Sequence, residues 1–397
     1  MSKRLEKRDL VHFWVPNLFE FKGGIQVYLC DILSAISYLQ SQGSFLLSTD
    51  IVIIDKLDSD KPEVVSKANE FTGNFSFTFM GNVPRVLRTF AFSLKILIAS
   101  FQQHPNLILC GHLNFTPVAY LLHLLLGTPY WILVYGVDAW DIKHPLRRQA
   151  LQAAEKVISI SDYTRSRLVE EENLHPDKIS LLPVTFNVER FQVKPKPTYL
   201  LNRYKLQENQ PVVLTVARLA DDEQYKGYDQ VIRAMCLVRQ KMPDAHYVLV
   251  GKGSDRPRVE QLIESLGLKD CVTLAGFVPD EEICDYYNLC DVFIMPSKGE
   301  GFGIVYLEAL ACGKPTVGGN QDGAIDALCS GELGILVDPD NVDEIASTLA
   351  EILQGKSTHP IIYQPKILRQ RVDEIYGFSR FQSNLLGLLK ETSFATP

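Results

Sequence analysis

No stretch of this 397-residue chain is apolar for long enough to cross a bilayer. The most apolar one, Val118 to Val134, is broken by Gly127-Thr128-Pro129, and a helix over Thr116–Leu126 would span only about 16 Å, roughly half a hydrocarbon core. It reads as a buried helix followed by a buried strand, and no membrane span is expected. The opening MSKRLEKRDL is charged and has no apolar core of the kind a secretory signal needs, so none is expected there. The eight cysteines form no CxxC pair and no cluster with histidine, which leaves buried thiols in a reducing, cytoplasmic setting as the expectation. A net charge of −7 argues against general nucleic-acid binding. Acidic side chains are missing altogether from residues 71–137, which hold Arg85, Arg88 and Lys95.

What the chain does have is length and alternation. At 397 residues it suits two domains rather than one core. From residue 211, β-rich apolar runs at Val212–Ala217, Tyr247–Val250, Val272–Ala275, Val292–Met295, Pro315–Val317 and Gly334–Val337 alternate with helical periodicities. Such alternation implies βαβ units and a buried parallel sheet, whose ligands gather at the carboxyl ends of the strands. That rim would hold Arg218, Gly251-Lys252-Gly253, Phe277-Val278 and Pro296–Phe302. The N-terminal half repeats the grammar with strands at Val11–Val15, Ile51–Ile54, Leu107–Cys110, Tyr130–Tyr135 and Val157–Ile160, and Ser161 is placed to cap the next helix. The reading is an N-terminal domain of residues 1–192, an extended linker at 193–204, a C-terminal domain at 205–375 and a closing helix at 376–397 packed back across the lobes.

The densest chemical signal is Pro296-Ser-Lys-Gly-Glu300-Gly-Phe-Gly-Ile-Val-Tyr-Leu-Glu308. A strand ends at Met295, a glycine-punctuated turn follows, and a helix starts near Gly303. The N–H groups of Phe302, Gly303 and Ile304 would then point from a helix N-terminus, which favours an anion by dipole and hydrogen bond together. Glu308 lies in an apolar run and needs a partner to offset its desolvation, for which a ribose diol is suited. Glu300 sits on the turn, free to meet a sugar's hydroxyls. A solvated loop glutamate and a core glutamate paired with lysine are the plainer alternatives. Upstream, Arg218 closes a strand and Lys226 precedes a helix, two cations suited to a diphosphate. Pairing of Arg218 with the acidic run Asp221-Asp222-Glu223 is the alternative there. Gly251-Lys-Gly253 and Gly23-Gly24 signal tight turns, near phosphate or merely at helix entries. His112 and Asp138 lie just beyond strand ends, in structural or ligand-contacting roles.

Together these segments resemble the retaining glycosyltransferases of family 4, over nearly the whole chain. The resemblance rests on Gly23-Gly24, Tyr135-Gly-Val-Asp138, Ile158-Ser-Ile-Ser-Asp-Tyr-Thr164, Pro183 to Phe191, Arg218…Lys226-Gly227, Val250-Gly-Lys-Gly253, the E-x7-E pair Glu300…Glu308 and Gly334-Ile-Leu-Val337. It implies a GT-B fold, α/β, with two Rossmann-like domains whose parallel sheets face each other across a cleft. It implies that Arg218 and Lys226 bind the diphosphate of a UDP- or GDP-sugar, and that Glu300 holds the sugar with the Phe302–Ile304 backbone. Glu308 would bind the ribose, Gly251 and Val278 would join the donor site, and the loop at Gly24 would close from the other lobe. His112, Tyr135 and Asp138 are the expected contacts to acceptor or sugar. The implied product is a hexosylated glycan or lipid-linked acceptor, in polysaccharide or glycolipid synthesis, formed without metal or cofactor.

The chain departs from that family at three places. Many members carry His-Gly where Tyr135-Gly136 stands, and Asn-Gly where Val184-Thr185 stands; the loop from Arg218 to Lys226 is also longer. Two rival functions fit the same fold, a nucleotide-sugar epimerase and a non-catalytic sugar-nucleotide binding protein. For the acid-free stretch, helical spacing of Val86, Leu87, Phe90, Leu94 and Ile98 among the three cations leaves two readings. One is a basic amphipathic helix in peripheral contact with the inner membrane face; the other is a core-facing helix with solvated cations.

Overall fold

The computed structural model describes residues 9–21, 23–43 and 49–391, so most of the charged opening segment lies outside the described residues. The chain divides into two units, Met1–Thr185 with Ser379–Pro397, and Phe186–Phe378. In the first, seven strands form a sheet: β1 (Asp9–Val15), β2 (Thr49–Asp55), β3 (Phe75–Phe79), β4 (Leu107–Cys110), β5 (Tyr130–Val134), β6 (Lys156–Ser159) and β7 (Ile179–Leu181). Their order is β3-β2-β1-β4-β5-β6-β7 and every pairing is parallel. Helices α1 (Gly24–Ser41), α2 (Pro62–Ala68), α3 (Arg85–Gln103), α4 (Thr116–Leu126), α5 (Pro145–Ala153) and α6 (Asp162–Glu172) connect them. Strands covered on both faces must be apolar throughout, and β4 and β5 are buried at every residue. Local signals set the helix ends. The Ser161 hydroxyl accepts from the Thr164 N–H at 3.1 Å to start α6, and α4 stops at Gly127 with φ 71°.

The second unit is a six-stranded parallel sheet of β8 (Val212–Val216), β9 (His246–Val250), β10 (Val272–Gly276), β11 (Val292–Met295), β12 (Thr316–Gly319) and β13 (Ile335–Val337), in the order β10-β9-β8-β11-β12-β13. Around it lie α7 (Thr198–Tyr204), α8 (Tyr228–Lys241), α9 (Arg256–Ser265), α10 (Ile283–Leu289), α11 (Ile304–Ala311), α12 (Ala324–Ala327), α13 (Val342–Leu353) and α14 (Pro365–Tyr376). Residues 193–204, read from the sequence as an extended linker, instead belong wholly to this unit. The Lys194 N–H donates to Asn288 Oδ1 at 2.8 Å, Lys196 Nζ reaches Asp291 Oδ2 at 2.7 Å, and α7 occupies the rest. Pro195 and Pro197 keep the chain extended only until Leu200 and Leu201 can be buried.

The last helix, α15 (Phe378–Lys390), packs into the first unit, where the Phe381 ring meets Tyr28 edge-on at 5.8 Å. All three tryptophans, Trp14, Trp131 and Trp140, lie in this unit, so their fluorescence reports on it alone. Phe381→Ala is expected to lower the stability of the first unit by about 3–5 kcal/mol, read as an earlier urea midpoint by tryptophan emission. An unchanged midpoint would show that α15 is not part of that core.

Candidate active site

In the second sheet β8 lies between β9 and β11, so the strand order reverses between β8 and β11, the point at which open parallel sheets bind ligands at their carboxyl ends. The chain leaving β8 carries Arg218, Glu223 and Lys226; the chain leaving β11 carries Pro296 to Gly303. The two segments are zipped together. The Lys298 N–H donates to the Tyr225 carbonyl at 3.0 Å, and Gly227, with φ 78°, lies so close that a Cβ there would strike the Pro296 carbonyl. Sequence-distant residues 226 and 300 are thereby brought into contact.

That contact is ionic. Lys226 Nζ pairs with Glu300 Oε1, both side chains being 15% exposed, and lies 3.9 Å from Glu223 Oε2. Arg218, whose side chain is 58% exposed, pairs with the other oxygen of Glu223. Burial, the largest single influence, lowers the pKa of Lys226, but the charge of Glu300, the neighbouring Tyr225 and the hydrogen bond to Glu300 together raise it, so the ammonium persists. Two cations and two carboxylates cancel. Pairing with the acidic run is therefore realised at Arg218, through Glu223 alone. Glu300 is not a free loop carboxylate, because it is the buried counter-ion of Lys226.

The turn after Glu300 is held from behind by Asp322, which sequence reasoning did not single out. Its Oδ2 accepts from the Glu300 N–H at 2.7 Å and its Oδ1 from the Ala324 N–H at 2.9 Å, while the Gly323 N–H donates to the Glu300 carbonyl at 2.9 Å. Burial pushes the Asp322 carboxyl up despite these bonds. The helix α11 then starts at Ile304 from Gly303, φ 91°, with no side-chain cap, so its first-turn N–H groups are met by no capping side chain. Phe302 is buried against Tyr376. One helical turn on, Glu308 accepts from the Tyr287 hydroxyl at 2.6 Å, so protein supplies part of the partnership that the sequence left to a ligand.

The turn at Gly251 proves to be a tight one for a stated reason. A Cβ at Gly251, φ 143°, or at Gly253 would strike the carbonyls of Ala217 and Leu219, and the Leu219 N–H donates to Lys252 O at 3.1 Å. Both glycines serve to set Arg218 at the rim. Val278 follows β10 with its side chain buried, while neighbouring Phe277 is exposed under the Lys252 ammonium, 4.6 Å from the ring centroid.

The first sheet reverses its order between β1 and β4. The segments leaving β1, β4 and β5 carry Gly24, His112 and Tyr135 to Asp138, respectively. Gly24 is the first residue of α1 and has open space where a side chain would be. His112 is pushed down to about 4 by burial and by Arg147 and Lys56, and its Nδ1 accepts from the Asn114 N–H at 3.1 Å. The neutral ring thus carries its proton on Nε2 and acts as a donor. The Tyr135 hydroxyl is committed to the Gly111 carbonyl at 2.8 Å, tying the ends of β4 and β5 together. Asp138 Oδ1 accepts from the Tyr135 N–H at 2.9 Å, while its Oδ2 is buried without a hydrogen-bond partner among the described residues.

Two α/β units with wholly parallel sheets define a GT-B fold. HepE of Anabaena in complex with UDP superposes with a TM-score of 0.75 at 17% identity, over 96% of this chain and 99% of its own. Sucrose-phosphate synthase of Thermosynechococcus elongatus gives 0.76 at 21% identity, over 98% and 100%. Within that fold, residues 200–366 match the family described as Glycosyl transferases group 1. This span includes Arg218, Lys226, Glu300 and Glu308. A GDP-mannose-dependent alpha-(1-6)-phosphatidylinositol monomannoside mannosyltransferase of Mycolicibacterium smegmatis is 33% identical over 222 residues, 53% of this chain. The match spans 56% of that relative, little more than half its length.

Burial raises Asp138 to about 7. An unfolded aspartate titrates near 3.9, so between about 4 and 7 the folded protein holds more protons than the unfolded one, and stability falls as pH rises through that window. Asp138→Asn should flatten the pH dependence of the tryptophan-monitored midpoint between pH 5 and 8. An unchanged slope would show that Asp138 is already ionised at low pH.

Proposed function

We propose that this protein is a retaining glycosyltransferase that moves a hexose from a UDP- or GDP-sugar to a glycan or lipid-linked acceptor. The observation that carries the reading is the pair Arg218 and Lys226, set with Glu300 at the strand-order reversal of a sheet whose stretch 200–366 matches Glycosyl transferases group 1. The names of the relatives, among them a GDP-mannose-dependent mannosyltransferase, support the same class.

In this reading the donor's diphosphate displaces Glu223 from Arg218. The guanidinium is the exposed member of the quartet and offers a planar fork to two phosphate oxygens. Lys226 stays paired to Glu300 and adds a second charge, and the uncapped N-terminus of α11 adds a third source of positive potential. Glu308 takes the ribose. Glu300 Oε2, opposite the oxygen that holds Lys226, takes a sugar hydroxyl. The bond from the anomeric carbon to the phosphate oxygen breaks as charge grows on that oxygen, and the cations stabilise it there. The departing phosphate accepts the acceptor's hydroxyl proton on the same face, so configuration is retained.

Lys226→Ala or Arg218→Ala should lower kcat/KM by about 10²–10³, the cost of losing one transition-state donor. Glu300→Ala should suppress transfer while nucleoside diphosphate still binds, and Glu308→Ala should weaken the nucleotide itself. NMR of the product's anomeric proton reads the stereochemistry, and inversion would refute the mechanism. Near-normal kcat/KM in Lys226→Ala would refute its role. Glu223→Gln removes the carboxylate that competes for Arg218. By calorimetry it should raise nucleoside diphosphate affinity by up to about fivefold, the worth of an ion pair whose guanidinium is open to solvent. A weakened affinity would show that Glu223 positions Arg218 rather than competing for it.

A further inference from the structure

Helix α3 is apolar on the side that faces solvent. Its buried side chains, Phe92, Ile96 and Ala99, pack toward the sheet. On the opposite face stand Val86, Leu87, Phe90, Leu94, Ile98 and Phe101, all exposed, Val86 at 89% and Phe90 at 72%. At 3.6 residues per turn these six fall within an arc of roughly 120°, a stripe running about 23 Å along the helix. The neighbouring α4, packed against α3, repeats the pattern with Leu121, Leu124 and Leu125, Leu124 being 63% exposed. Scattered exposed leucines need no explanation, but a contiguous apolar face on two adjacent helices does.

The charge on this layer is one-sided. Helices α3, α4 and α5, the last packed on α4, carry Arg85, Arg88, Lys95, Arg147 and Arg148 and not one aspartate or glutamate, in a chain whose net charge is −7. Two of these cations are used internally. Arg88 donates to the carbonyls of Gly81 and Val83 at 2.7 and 3.1 Å, and Arg148 pairs with Glu172 at 2.7 Å. Arg85, one residue before the stripe begins, and Lys95, about 60° round the helix from its Ile98 edge, are exposed. We infer that this face docks on an anionic lipid bilayer, with the α3 and α4 side chains entering the headgroup boundary and Arg85 and Lys95 meeting lipid phosphates. Charge decides for lipid over a second copy of the chain, since two such faces brought together would oppose their cations, whereas an anionic surface neutralises them. Among the described residues no helix is long and apolar enough to cross a membrane, and α3 keeps its inner face in the core, so the contact is along the surface.

Co-sedimentation of the full chain with vesicles tests this. Binding is expected to phosphatidylcholine mixed with phosphatidylglycerol, and at least tenfold weaker binding to phosphatidylcholine alone. Phe90→Glu with Leu94→Glu should abolish it. Arg85→Gln with Lys95→Gln should weaken it about thirtyfold, from about 1 kcal/mol per cation near an anionic surface. Heat stabilisation by UDP or GDP should be the same in all variants and in the parent. Its absence throughout would count against the donor site and leave docking standing. Absence of vesicle binding, equal binding by the variants, or a dimer that Phe90→Glu with Leu94→Glu dissolves in place of vesicle binding would overturn the inference.

Discussion

A lysine ammonium that is 15% exposed keeps its charge only if a carboxylate stands beside it, and in this protein that carboxylate is Glu300. The pairing fixes two loops that are far apart in sequence, since Lys226 ends the segment after β8 and Glu300 begins the turn after β11. Much of the second unit's rim is arranged to make it possible. Gly227 lets the backbone pass under Pro296, and Asp322 holds the Glu300 N–H from behind. Removing Lys226 would leave Glu300 largely buried and without its cation, which costs more than the pair contributes.

The same rule explains why the described state is electrically closed. Glu223 completes the set by meeting Arg218 and approaching Lys226, so the two cations are spoken for by two carboxylates. An anionic ligand must exchange with one of them. The exchange is easiest at Arg218, where solvent already screens the pair. The loop from Arg218 to Lys226 thus carries its own counter-ion, Glu223.

The sheets were largely legible in sequence because buried parallel strands are nearly pure apolar runs; β4 and β11 fall on the residues read from the sequence. The two strands that were not read fail that test. The edge strand β3, Phe-Ser-Phe-Thr-Phe, is half-exposed, and β7 has three residues. The linker was misplaced because prolines mark extended chain, whereas a boundary is set by which core the side chains enter. Arg218, Lys226, Glu300 and Glu308 were singled out from the sequence, but the partners they meet in the fold were not. Nothing in Asp221-Asp222-Glu223 says which acid turns inward, and Asp322 and Tyr287 become site residues only through contacts made across the fold. The cationic stretch was visible as a lack of acids. That its apolar side chains face outward required knowing which side of α3 the core takes.

The central claim is that Arg218 and Lys226 are the phosphate-binding cations and that Glu223 holds Arg218 until phosphate arrives. A crystal structure of the protein with a nucleoside diphosphate tests it directly. The expected result is an Arg218 guanidinium turned from Glu223 to the diphosphate, with N···O separations of about 2.7–2.9 Å, and Lys226 still beside Glu300. A diphosphate bound elsewhere, with the Arg218–Glu223 pair intact, would contradict the account.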